Sequence, residues 1–504
     1  MTYAESILAV RRIAARYPFF AVRAIAIAVL LPLGAQTLGA QQTLTLKQAI
    51  EMAQRQGAQG RVAERTRASA RDRDHAFSAG FLPSLSISGQ TPNYTRSIVG
   101  VIQPDGTTQY IPLQETDAGL NATISQKIPW TNTTLSFSSG LNQTKVTGAN
   151  GFQSWSSTPF SVGISQPIFR ANTQRWDIRE QGLRIESSER KYLEAREDAA
   201  IAATNAFFDL YAAGANLKNA QANVLVNDTL FTLNKGRLEI GKIGENDLLQ
   251  SELALLRARA SFADARLAHE RALSQFRITI NVPPGTPIDL SVTAEVPQFD
   301  ADTAAAVKSA RENSSTVNDV VASEVHADRA VSEARWNGGA GGTLNASYGY
   351  NGTSTGSRAS DAYKNLLNSQ RLNLSVQLPI WQWGAHSGAV AAAKADRDAA
   401  RTTAEVSRAQ VDLNAHFAAL QLTQARLGLA IAAKADTVAT KRFDVAYNRY
   451  VIGRIAIDNL YLAQSEKDQA LVSYAQALRA YWTAYYQLRK LTLYDFETGR
   501  QIRE

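Results

Sequence analysis

Two stretches of this chain, Thr173 to Leu238 and His386 to Tyr450, contain no proline, hold little glycine, and are rich in alanine and in large apolar residues. Alanine favours helix and lets neighbouring backbones approach closely. At ~1.5 Å per residue, either stretch predicts a rod about 100 Å long. Uninterrupted helix of that length points to a coiled coil or helical array rather than a compact globule. Large apolar residues recur along them (Phe207, Leu210 and Leu217, then Leu413, Phe417, Leu420 and Leu427), with charges of both signs between.

Each rod is preceded by segments of a different period. Leu85–Ser88, Leu120–Ser125, Leu135–Ser138, Phe160–Ser165, Leu344–Tyr348 and Leu374–Leu378 alternate apolar with polar residues, which places one kind of side chain on each face of a strand. The polar partners are Ser, Thr, Asn and Gln rather than Lys and Glu. That composition suits a strand with lipid on one face and a watery lumen on the other. Trp130, Trp155, Trp381 and Trp383 fall near strand ends, where interfacial aromatics would sit. Pro83, Pro167 and Pro379 mark the junctions between strands and helices. So few strands cannot close a barrel alone, and an open edge is not tolerated in hydrocarbon, so several chains must contribute. A soluble antiparallel sheet packed on one face is the alternative reading.

The order helix, strands, long helix, short helix occurs twice. Residues 41–283 form the first copy, 284–298 a turn-rich linker, 299–493 the second copy and 494–504 a tail. Pro167 aligns with Pro379 and Ile240-Gly241 with Ile452-Gly453 at one offset, while Ala49–Ala53 aligns with Ala306–Ala310 at a larger one. The first copy therefore carries about 45 extra residues before Pro167, around Leu120 to Leu141. Gly89–Pro112, Val146–Pro159 and Gly349–Ser360 are rich in turn residues and read as loops. Each long helix ends at a glycine, Gly241 or Gly453, which permits a left-handed turn. Asn246 or Asp247, and Asp458 or Asn459, are the expected caps of the following helices.

Arg11, Arg12, Arg16 and Arg23, the apolar run Ala24–Leu31 and the small residues Leu38-Gly39-Ala40 have the form of a cleaved signal peptide, residues 1–40. No later stretch approaches the ~20 apolar residues of a spanning helix. The chain has no cysteine, which excludes disulfides, zinc–thiolate sites and a lipidated N-terminal cysteine. Its five histidines do not fall at metal-ligand spacing. Loss of four Arg and one Glu with the signal lowers the formal charge from +8 to about +5, dispersed along the chain, and there is no clustered basic face for nucleic acid. No nucleotide loop, metalloprotease helix or nucleophile constellation is present, so neither a cofactor nor an enzymatic activity is expected.

Taken together, Leu82-Pro83-Ser84-Leu85, Ser165–Phe169, Gln377–Trp381 and the turns Gly241–Leu248 and Tyr450–Leu460 resemble the TolC-like outer membrane efflux family. The resemblance implies a homotrimer: a transmembrane β-barrel in the cell outer membrane, continued by a long periplasmic α-helical coiled-coil tunnel and built from an internal duplication. It implies a passive exit duct for a tripartite efflux or type I secretion system, opened by a periplasmic adaptor protein and an inner-membrane pump, and surrounded by outer membrane lipid. A secreted structural or adhesive coiled coil is the alternative. The family's gating tyrosine falls on Tyr450. Its partner arginine falls on Ile455, with Arg454 adjacent. The ring aspartate falls on Asn459, with Asp458 adjacent, and the next ring position is Leu462. Asp247 keeps the spacing in the first copy. The family's four strands per chain set the expectation here, with the extra hairpin as a flap beside the barrel.

Overall fold

A computed structural model describes residues 42–148, 151–292, 296–297 and 299–503, so the signal peptide reading lies outside the described residues. These residues form two compact units: 71–185 with 321–404, and 42–70 with 186–320 and 405–503.

The first unit is built on one antiparallel sheet of six strands: β2 (Ser84–Ile102), β3 (Thr108–Ile128), β4 (Thr133–Thr147), β5 (Phe152–Ile168), β7 (Gly341–Thr355) and β8 (Leu367–Gln377), paired in that order. The expectation of a flap is overturned. The extra hairpin is an integral part of the sheet, because β3 pairs with β2 from Thr108 to Ser125 and with β4 from Gln114 to Ile128. Its turn is also pinned at the base. The Asn172 side-chain amide donates to the carbonyls of Pro129 (2.9 Å) and Trp130 (3.2 Å), and Gln166 donates to that of Thr131 (2.9 Å).

Most of the segments read as loops are strand as well. Pro and Gly misled because they sit where a ladder bond is not needed. Pro92 and Pro159 lie at register shifts, and Pro112 lies beyond the last β4 partner of β3, Gln114. The end of the third segment leaves the sheet, and 356–366 fold back over it. Ser157 Oγ donates to the Ala362 carbonyl at 2.5 Å, and a Cβ on Gly352 would stand 2.0 Å from that same oxygen.

The second unit is helical. The N-terminal strand β1 (Gln42–Thr45) pairs in parallel with β6 (Ile288–Ser291), so part of the stretch read as a linker is structured. The first helical segment divides into α1 (Leu46–Arg55) and α2 (Ala58–Ala79); its counterpart divides into α5 (Thr303–Asn313) and α6 (Ser315–Asn337). Thr45 caps α1 through a reciprocal bond with Gln48, and Asp302 caps α5. The long helices α3 (Thr173–Glu239) and α7 (Ala385–Val451) have 67 residues each. The shorter α4 (Glu245–Ile280) and α8 (Ile457–Thr492) have 36 each.

The core of this unit gathers Ile50, Ala203, Phe207, Phe208, Phe276, Ile280, Leu478, Tyr481, Tyr485 and Leu488. Alanine faces let the helices close, and aromatic rings fill the space left. The tail carries the two-residue strands β9 (Tyr494–Asp495) and β10 (Arg500–Gln501). Arg489 ties it down, reaching Glu197 at 3.2 Å and Asp495 at 3.3 Å. Burial pushes the Glu197 carboxyl upward despite the attraction of Arg489.

Phe207 is fully buried, with its ring 5.3 Å from Phe208 and 6.0 Å from Phe276. Phe207→Ala is expected to cost about 3–5 kcal/mol. Thermal melting followed by helical circular dichroism checks this, and an unchanged midpoint would contradict it.

Candidate functional site

Two features of the structure carry chemistry, one in each unit. In the second unit, the two glycine turns are built alike. Gly241 and Gly453 have φ of +67° and +73°. Lys242 N–H donates to the Arg237 carbonyl and Arg454 N–H to that of Arg449, both at 2.8 Å, which closes each long helix with the same six-residue ring. The expected side-chain caps are absent. Gly244 and Ala456 occupy the N-cap positions without a side-chain bond. Asp247 and Asp458 lie in the first turns of α4 and α8, where a carboxylate is favoured by the unpaired N–H groups at the helix start.

Tyr450 does not reach into solvent. On α7 the positions Ala415, Leu422, Leu429, Phe443 and Tyr450, spaced at multiples of seven, are all buried. On α3 the facing seam is Ala220, Asn223, Asn227, Leu230 and Asn234, also buried. Tyr450 is 4% exposed, and its hydroxyl donates to Asn234 Oδ1 at 2.7 Å. Arg237 lies over the Tyr450 ring at 5.2 Å and donates to the carbonyls of Tyr450 (3.2 Å) and Val451 (2.9 Å). The arginine beside the tyrosine is thus Arg237 from the first copy. Arg454 and Asn459 are exposed, and exposed Asp458 accepts from Gln250 at 2.5 Å. Leu462 is exposed too.

Asn234 was missed from the sequence, since one Asn inside a long helix is unremarkable. The signal was its place in a run at heptad spacing with Asn223 and Asn227. This seam is weakly apolar. Asn219 and Asn223 bond Asp468 at 2.6 and 2.9 Å, while Asn227 Oδ1, Asn234 Nδ2 and the Tyr461 hydroxyl are buried without partners. Burial beside Tyr450 and Asp458 pushes the Tyr461 hydroxyl well above the usual phenol range. Such a seam specifies register at a cost in stability.

In the first unit, the register separates the sheet's faces. One row across it reads Leu85, Ile124, Phe137, Val162 and Tyr348, and ends on Gln370 of β8. The adjacent row on the opposite face reads Ser86, Thr123, Ser138, Ser161, Gly349 and Ser369. The apolar face is bare: Leu372 is 76% exposed, and Leu85, Ile87 and Leu374 are exposed with it. Trp130 sits at the β3–β4 turn, near the β5 end that carries Pro167. Exposed Trp381 and Trp383 stack edge to face at 5.0 Å in the turn after Pro379. Trp155 lies on the apolar face at the other end of β5, opposite Gln143. Pro83 ends the turn before β2. Among the described residues β2 and β8 each have a neighbour on one side alone. No described helix is long and apolar enough to cross a membrane, and no described group of acidic and His side chains could hold a metal ion.

Residues 111–280 match the family model described as outer membrane efflux protein. The fold is similar to the CmeC outer membrane channel of Campylobacter jejuni, at 15% identity over 97% of this chain and 95% of that one, TM-score 0.64. It is also similar to the open state of the Neisseria gonorrhoeae MtrE outer membrane channel, at 15% identity over 91% of each chain, TM-score 0.62. A third similar structure is the outer membrane protein VceC of Vibrio cholerae, at 12% identity over 91% of this chain and 97% of that one, TM-score 0.62. No curated protein sequence matches the chain.

Tyr450→Phe leaves Asn234 Oδ1 buried without its donor, an expected cost of about 1–3 kcal/mol. Gly453→Ala forces a side chain into the left-handed region at about 1–2 kcal/mol. Both are expected to speed amide hydrogen exchange at the end of α7 and leave protection around Phe207 unchanged. Equal loss at both places would show that Tyr450 is not a local fastening.

Proposed function

The chain is a member of the outer membrane efflux protein family, whose channels are passive conduits and not enzymes, and from that premise we propose that it is one third of an exit duct across the outer membrane. The observation that carries this reading is the two-faced sheet with two free edges. A bare apolar face suits lipid and a hydroxyl-rich face suits water. Backbone groups along β2 and β8 need partners in hydrocarbon, and copies of the same chain supply them, β8 of one against β2 of the next.

Width supports six strands from each chain, eighteen in all. With ~4.8 Å between strands tilted by ~40°, six strands cover about 38 Å of circumference. The four helix segments in the same unit, from α2, α3, α6 and α7, need about 32–40 Å at ~8–10 Å each. Four strands would span only about 25 Å.

The helices supply a second line of support. Leu249, Leu253, Leu256, Ala260, Ala263 and Leu267 on α4 alternate by four and three residues, and all are exposed. Leu413, Phe417, Leu420, Leu427, Ile431, Val438 and Val445 on α7 follow the same register, equally exposed. These are coiled-coil seams that lack a partner within the chain. In a trimer they pack against neighbouring copies and wall a periplasmic tube, an internally duplicated design in which α3–α4 and α7–α8 alternate.

Tyr450, fastened to Asn234 and Arg237, holds the second hairpin closed at the tip, while Arg454, Asp458 and Asn459 face the narrowed axis. A periplasmic adaptor and an inner-membrane pump open the tip and supply the energy, and solute leaves through the barrel. The cell outer membrane, with the helices in the periplasm, is the site of action.

In planar bilayers, Tyr450→Phe combined with Asn234→Ala is expected to raise single-channel conductance severalfold, and unchanged conductance would remove these residues from the gate. Leu420→Glu with Leu256→Glu is expected to convert trimers to monomers in native mass measurements. A wild-type chain released from membranes by carbonate alone would favour the adhesive coiled coil instead.

A further inference from the structure

Charge on the apolar face of the sheet is confined to one end. The rows of that face run from the helical end, through Leu85, Ile124, Phe137 and Val162, up to the row of Ala118, Gln143, Trp155 and Ser354. Across this span, among the described residues, no strand position on that face carries a charged side chain. On β3 the uncharged stretch runs from Ile128 to Ala118, about 26 Å tall at ~3.4 Å per residue and ~40° of tilt. A barrel's lipid band is about as tall, ~25 Å, and Trp155 stands at its outer rim.

Charge begins in the next row, and on the strands it has one sign. That row reads Tyr94, Thr116, Lys145 and Gln153, and Arg96 lies one row further out, opposite Gln114. The other positions of this face beyond Trp155 are uncharged, Ile98, Ile102 and Tyr110 among them. The carboxylates Glu115 and Asp117 alternate to the inner face, where no described strand position beyond that level carries a cation. Asp105 stands apart, in the turn between β2 and β3. A surface charged only for solubility mixes both signs on its wet face.

The folded-back segment 356–366 adds to the cationic belt. Gly352 shares the face of Tyr348 and Tyr350, so the segment that crowds it lies on the apolar side. Gly356 N–H donates to the Gln153 carbonyl at 2.8 Å, which fixes the start of the segment at the level of Lys145. Arg358 follows and is exposed, as are Tyr363 and Lys364. Lys364 is engaged by Asp361 at 2.7 Å, the one carboxylate of the segment. Arg96, Lys145 and Arg358 are left to meet an anion.

We propose that these three cations bind the phosphate of an anionic lipid headgroup in the outer leaflet, with Lys145 and Arg358 as the central pair. The proposal rests on the duct reading above, which sets the orientation of the sheet. Arg grips phosphate through paired N–H groups, and Lys acts as a point charge. A lipid fits better than a dissolved anion because the cations adjoin the bare apolar band. One molecule meets both, its phosphate on the cations and its acyl chains on exposed Leu120 and Ile124.

The full-length trimer in detergent would be titrated with phosphatidylglycerol or phosphatidylcholine, and bound lipid counted by native mass spectrometry. The unaltered chain is expected to prefer phosphatidylglycerol, and Lys145→Gln with Arg358→Gln to hold it about tenfold more weakly. Lys127→Gln with Arg371→Gln removes the same charge from the inner face and is expected to change nothing. Equal loss in both double variants, loss in neither, or equal retention of the two lipids would overturn the proposal. Displacement of the lipid by millimolar inorganic phosphate would mark a site for the free anion and overturn it too. A trimer without lipid preference refutes the belt alone, whereas a chain that gives no trimer sinks the duct reading and the belt with it.

Discussion

A peptide group that faces hydrocarbon without a partner costs several kcal/mol, and no side chain compensates for it. Among the described residues strands β2 and β8 each leave one edge without a neighbouring strand, and their sheet carries a largely apolar face. The rest of the molecule is consistent with an answer to that one constraint. On the proposed function, a sheet that closes through copies of itself needs helices that also meet through copies. Two helices do keep their heptad seams bare while burying a second seam inside the chain.

The two kinds of seam differ in composition. The bare seam of α7 is rich in Leu, Ile and Val, and with its counterpart on α4 would hold protomers together permanently. The buried seam of α3 carries Asn223, which bonds Asp468 on α8, then Asn227, and Asn234, which accepts from the Tyr450 hydroxyl on α7. Parting it exposes amides that water solvates readily, so the work of separation falls mainly on a few directional bonds. On the proposed function, that division lets a hairpin swing at its tip while the trimer stays assembled.

Six strands were legible as alternating segments, and the extra hairpin was counted but misplaced. The family resemblance favoured four strands; with helices about 9 Å apart and strands about 6 Å apart around a tilted barrel, width favours six. The turns were misread because Pro92, Pro112 and Pro159 look like loop residues until the register shows that each lies at a bulge or beyond a ladder. The caps failed for a related reason. Asp247 and Asp458 are common N-cap residues, yet the backbone turns earlier, at Gly244 and Ala456, three and two residues ahead of them, and leaves them inside the helix.

By itself the sequence determined what repeats: the period of each segment, the glycine that ends each long helix, and the matched order of elements in both halves. These follow from local chemistry, because helix and strand periods and left-handed turns depend on residues a few positions apart. Tertiary structure alone decided which groups meet. Asn234 and Tyr450 come from different halves, Arg237 takes the place beside the ring, and the apolar row of Leu85, Ile124, Phe137 and Val162 shows only once the strands are in register. In the sheet, a one-residue slip would turn a strand's side chains to the other face, and local period cannot detect a slip.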